Sequence, residues 1–140
     1  MTDMEAIYNE LIMDHSMHSP YKQPLSCCGV SAKGHNPSCG DDITLEFSIE
    51  EGIIKEMGFT GHGCAISQSS TSIMIETLTG KTVEEAKRIV EVFFAMIKRE
   101  TVKEEDLDLL EDARAFQSIS NMPSRVKCAL LAWKTLNEHL

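Results

Sequence analysis

The chain is short of positive charge, of long apolar runs and of any internal repeat. Its 13 Lys and Arg stand against 22 Asp and Glu, a formal net charge of −9 over 140 residues. A surface of that sign repels phosphate backbones, which argues against nucleic acid as a partner. No apolar stretch approaches the ~20 residues that cross a bilayer, so no membrane association is expected. The opening "MTDMEAIYNELIMDH" has neither the basic start nor the small-residue cleavage site of a secretory signal, and a cytoplasmic protein is expected. No low-complexity tract divides the chain, and its length suits one domain over residues 1–140. The strand–helix–strand alternation that a parallel sheet requires is missing as well.

Against these absences stand five cysteines, at positions 27, 28, 39, 64 and 128. A domain of this size does not need disulfides to stand. In a reducing compartment its thiols are better read as metal ligands or reactive groups.

The periodicities give an α+β plan: a small antiparallel sheet of about three strands with helices packed on one face. Residues 3 to 17 have helical spacing, with Ile7 and Leu11 on one face beside Tyr8 and Ile12. From Ser19 to Ser38 prolines and glycines break the pattern. A long irregular loop is expected there, either functional or a tether over the sheet. "ITLEFSIE", residues 43 to 50, alternates Ile43, Leu45, Phe47 and Ile49 with polar residues, and "IIKEMGFT", residues 53 to 60, follows after a turn. A three-residue loop with Gly52 left-handed would set Ile49 against Ile53 and Leu45 against Met57; a two-residue loop would set Leu45 against Gly58. Apolar matching favours the first.

Residues 65 to 79 read as a helix ended by Gly80, poor in intrinsic propensity and so dependent on packing. Thr82 with Glu85 has the pattern of a capping box, opening a helix to about Arg99. Short helices with Leu107 and Leu110 inward follow, the acidic run 104–112 being a solvated face. Pro123 then opens a last helix to about Leu136, with Val126, Leu130 and Trp133 as its core stripe.

The hairpin gives the thiols their meaning. Continued past its strands, it brings Cys39 opposite Gly63 in the first register and opposite Cys64 in the second, within ~5 Å of strand spacing. Alternation points Asp41 to the side of Cys39 and Asp42 to the other, and Gly40 lets the backbone come close to whatever sits there. Cys64 begins a helix, where negative charge is favoured. Cys128 lies one turn into the last helix, three residues after Arg125, which could stabilise an anionic sulfur. Spacing does not bring Cys128 to the others, and a buried small hydrophobe is its plain alternative reading. Three thiolates and one carboxylate would fill a tetrahedral zinc shell, with His62 as the rival for the place of Asp41. The pair Cys27-Cys28 reads as incidental thiols or as a sulfur-relay position. His15, His18, His35 and His139 show no ligand pattern.

"NPSCGDDI", "GHGCAISQSSTSIM" and "RVKCALLAWKTL" together strongly resemble the U-type iron–sulfur cluster assembly proteins, and within them the SufU branch. The resemblance implies a zinc site of Cys39, Asp41, Cys64 and Cys128. It also implies a zinc-dependent sulfurtransferase that takes persulfide sulfur from a PLP-dependent, SufS-like cysteine desulfurase, with a downstream cluster scaffold as a further partner. Cys39 is the implied acceptor, leaving the metal when a histidine of the docked desulfurase replaces it. The alternative within the family is an IscU-type scaffold that assembles a transient [2Fe–2S] or [4Fe–4S] cluster on the three cysteines. Scaffolds of that type carry His immediately before the third cysteine, where this chain has Lys127, and lack much of the helical stretch that follows Gly80. Both departures point to SufU.

Overall fold

The alternating run forms a strand, as expected, but one that begins at Asp41. A computed structural model, which describes residues 3–25, 29–37 and 40–140, with side chains from Asn9 onward, gives one antiparallel sheet. Its strands lie in the order β1 (Val30–Asn36), β2 (Asp41–Glu50) and β3 (Ile53–His62). The helix α1 (Asp3–Met17) precedes them. After them come α2 (Ala65–Leu78), α3 (Val83–Ile97), the short α4 (Glu104–Leu107), a 3₁₀ segment (Asp108–Asn121) and α5 (Pro123–Asn137). The class is α+β, with the helices on one face.

The hairpin takes the two-residue loop rather than the favoured three-residue one, and beyond a bulge its register departs from both expectations. Glu51 and Gly52 have positive φ, 52° and 77°, so the turn has two residues of the left-handed kind that suits twisted strands. Glu50 faces Ile53 and Ile49 faces Ile54; a bulge at Lys55 then advances the ladder, so that Phe47 faces Met57 and Leu45 faces Phe59. The extra residue is what allows the oddly spaced Ile54 and Met57 both to enter the core. Ile43, Leu45 and Phe47 are buried on β2, whereas Ile49, expected on the same face, is exposed beyond the bulge.

A second correction concerns the stretch expected to be irregular from Ser19 to Ser38. Its last part is β1, paired with β2 from Val30 opposite Phe47 to Asn36 opposite Asp41. The buried face of β1 is Ala32, Gly34 and Asn36, too small and polar to register as a strand pattern. A Cβ on Gly34 would collide with Thr135 Oγ1 and lie 3.2 Å from Leu131 Cδ1, so glycine is what lets β1 rest on α5. The outer edge of β3 is covered by the chain itself. Phe59 N–H donates to Tyr21 O at 3.0 Å, and Ile54 N–H donates to Lys81 O at 2.9 Å.

Packing does hold α2, as its composition requires. Every residue from Ile66 to Ile75 is buried. Ser70 accepts from Trp133 Nε1 at 3.0 Å and donates to Ala129 O at 2.6 Å, tying α2 to α5. Thr71 and Thr77 return their hydroxyls to carbonyls of their own helix. Thr82 caps α3 by accepting Glu85 N–H at 3.1 Å. Phe93 of α3 stacks on Trp133 with ring centroids 3.9 Å apart. Leu107 and Leu110 point inward. On α5, Leu130 and Trp133 are buried and Val126 is half-buried.

Candidate metal centre

The buried face of β1 and β2 ends in two polar residues, Asn36 and Asp41, placed opposite each other by the ladder. There the sheet meets the start of α2 and the first turns of α5. Asp41 is fully buried. Its Oδ1 accepts Cys64 N–H at 2.8 Å, and its Oδ2 accepts from Asn36 Nδ2 at 3.4 Å. Cys64 is the N-cap of α2, with extended backbone and its Sγ accepting Ser67 N–H at 3.4 Å. A sulfur thus takes the capping place usually filled by oxygen, and the helix terminus favours negative charge on both Cys64 and Asp41. Cys128 is buried on α5, where its Sγ donates to Ser124 O at 3.8 Å and accepts from Asn36 Nδ2 at 3.7 Å.

The result is a cluster in which one carboxylate oxygen of Asp41 and the Sγ atoms of Cys64 and Cys128 lie within 4.8 Å of one another. Spacing alone had not brought Cys128 to this place; the docking of α5 on α2 and β1 does. Cys39, the expected first partner of Cys64, lies outside the described residues, as do Cys27 and Cys28. The observed register pairs Asp42 with His62, so it is Asp41 that the hairpin carries to Cys64. His62 does not join the cluster: it is exposed on the opposite face with Asp42. Gly40 is exposed with φ 68°, and among the described residues nothing lies within 4 Å of where its Cβ would be. Its positive φ is one that glycine adopts without strain. Arg125 is exposed at the rim of a cleft of about 360 Å³ that also reaches Cys64, Cys128, Ile12 and Met13.

Three residues of the site lie inside the quoted motifs but carry no ligand chemistry that would single them out. Asn36 reads as turn chemistry, yet it bridges Asp41 and Cys128. Gly63 leaves the gap the carboxylate enters, since a Cβ there would lie 2.6 Å from Asp41 Oδ1 and 3.2 Å from Ser67 Oγ. Ser67 is buried, and its hydroxyl has no partner among the described residues. Only the small-residue alternation Ala32, Gly34, Asn36 could have hinted that Asn36 faces inward.

The donor set fits zinc. Two thiols and a carboxylate converge, and the carboxylate takes its hydrogen bonds from neutral groups, so a buried cation would balance its charge. His15, Glu76 and Asp112 form a second convergence at the C-terminal half of α2, where His15 Nδ1 and Ser72 Oγ are 2.7 Å apart and His15 Nε2 lies 3.4 Å from Glu76.

A three-stranded sheet that presents a buried Asp to a helix-capping Cys and a helical Cys forms a candidate metal–thiolate site. The chain belongs to the NifU-like N terminal domain family, whose model matches residues 7–129. It is 40% identical over 134 residues to the iron–sulfur cluster assembly scaffold protein IscU of Thermotoga maritima, covering 96% of this chain and 92% of that one. It is 33% identical over 136 residues to the zinc-dependent sulfurtransferase SufU of Bacillus subtilis, covering 97% and 90%. Among solved structures, a scaffold protein for the SUF system from Fervidobacterium islandicum AW-1 superposes with a TM-score of 0.87 at 38% identity, over 96% of each chain.

Proposed function

We propose that this chain is a SufU-type, zinc-dependent sulfur acceptor in iron–sulfur cluster biogenesis, working in the cytoplasm as one domain over residues 1–140. The observation that carries the reading is the convergence of buried Asp41 and Cys128 with half-buried Cys64 at the N-terminus of α2. Cys39, two residues before Asp41, completes the set. Zinc held by these four residues would keep thiolates deprotonated yet protected.

The chain's own residues then divide the work. Cys64 and Cys128 are anchored on helices, whereas Cys39 lies between Pro37 and Gly40, both exposed. Cys39 is therefore the acceptor. Its thiolate attacks the outer sulfur of a persulfide on the desulfurase cysteine. A new S–S bond forms at Cys39, the old one breaks, and the desulfurase cysteine departs as a thiolate. Arg125 stands at the rim of the cleft, where its charge favours incoming anionic sulfur. The partner is a PLP-dependent cysteine desulfurase, and a downstream cluster scaffold takes the sulfur on.

Incubation with the desulfurase and cysteine tests the assignment. Cys39→Ala is expected to retain its fold by circular dichroism and to lose persulfide acceptance; acceptance at the wild-type level overturns the role. The name of the Thermotoga maritima relative favours a second reading, a scaffold that builds a cluster on the three cysteines. Reconstitution with iron and sulfide separates the two: a stable, transferable cluster chromophore supports the scaffold, and its absence supports the sulfur acceptor.

A further inference from the structure

Asn36 is buried, and the ladder sets it opposite Asp41, so both side chains point to the same face of the sheet. Its Nδ2 lies 3.4 Å from Asp41 Oδ2 and 3.7 Å from Cys128 Sγ. An amide nitrogen carries two N–H bonds, one for each of these acceptors. Few groups can do this without adding charge. A lysine or arginine would bring a positive charge and more donors than two acceptors use, while a hydroxyl would bring only one donor.

We infer that Asn36 is a positioning residue of the metal centre, holding a ligand on β2 and a ligand on α5 in one orientation. The inference rests on the metal reading above and deepens it. Cys64 N–H holds one oxygen of Asp41, and the Asn36 amide holds the other, so the plane of the carboxylate is set from the helix start and from the strand together. The same amide is a contact through which the sheet orients the Cys128 sulfur. Outer-shell contacts of this kind hold ligands in place for a metal, and their loss costs 10–100-fold in affinity.

Zinc affinity measured by competition with a chromophoric chelator, on the purified full chain, tests this. Wild type is expected to bind one zinc, with Asn36→Ala and the isosteric Asn36→Asp raising Kd about 10–100-fold. The metal-free variants should melt close to the metal-free wild type. In cobalt-loaded protein the thiolate-to-metal charge-transfer band should shift in both variants, a signature that general loosening of the fold does not give. The effect of Asn36→Ala should also shrink in an Asp41→Ala background. Wild-type affinity and an unshifted band in both variants overturn the inference and leave the metal reading standing; a wild type that binds no zinc overturns both. Should the variants fail to fold, the side-chain amide resonances of Asn36 in wild type decide. They shift in step with zinc titration if the inference holds and stay fixed if it does not.

Discussion

At position 63 a methyl group would sit 2.6 Å from Asp41 Oδ1, closer than carbon and oxygen approach without a shift. The site depends on that missing side chain as much as on the ones present. Gly63→Ala is expected to push Asp41 away from Cys64 N–H and weaken zinc binding about tenfold or more, in the range of other supporting contacts. The same shift takes buried Asp41 off the Cys64 N–H, so the melting temperature of the metal-free protein should fall as well. Chelator competition and a thermal melt on the same sample check both halves. The types of chemistry in the site were legible residue by residue, because thiols and a carboxylate stand out against turn residues. Asn36, Gly63 and Ser67 were not, since an amide, a missing side chain and a hydroxyl have bland local meanings.

At the scale of elements, α2 is held by contacts that a propensity scale does not contain. Ser70 is the clearest case, accepting from the Trp133 indole and donating to Ala129 O inside the core. Ser70→Ala leaves a buried indole N–H and a carbonyl without this partner, and should cost about 1–3 kcal/mol in urea denaturation. A loss below about half a kcal/mol would show that the α2–α5 tie contributes little. The helices were readable from apolar spacing and capping residues, and their ends fall close to expectation. The strands were readable only in part. The hairpin was plain, but its register turned on a bulge at Lys55, which local alternation does not reveal. β1 was hidden because its inward face is Ala32, Gly34 and Asn36, and a strand that packs closely on a helix must be small there.

Across the whole molecule, the helices around α2 also share a charge problem. The Glu76 carboxyl titrates above its ordinary range, chiefly because burial disfavours its charged form; His15 pulls it down, while Asp112 and Glu111 push it up. A carboxyl raised on folding binds its proton more tightly in the folded state. Its contribution to stability is therefore present below the unfolded carboxyl value and is lost as pH rises through the folded one. At neutral pH the charge of Glu76 works against folding, an effect that water screens because the side chain is 42% exposed. Glu76→Gln should raise the melting temperature at pH 7 by about 1–3 °C and lose that advantage below about pH 4. A melting temperature that falls at pH 7 would mean that pairing with His15 outweighs burial.

The contact of β1 with α5 also reaches beyond the single position it occupies. Because a Cβ at 34 would collide with Thr135 and crowd Leu131, the strand and helix that carry Asn36 and Cys128 keep their distance only through a matched set of sizes. Over generations of sequence change those three positions act as one variable. A larger residue at 34 becomes acceptable only in a lineage that has already trimmed 131 or 135, so drift at this seam should run in linked steps.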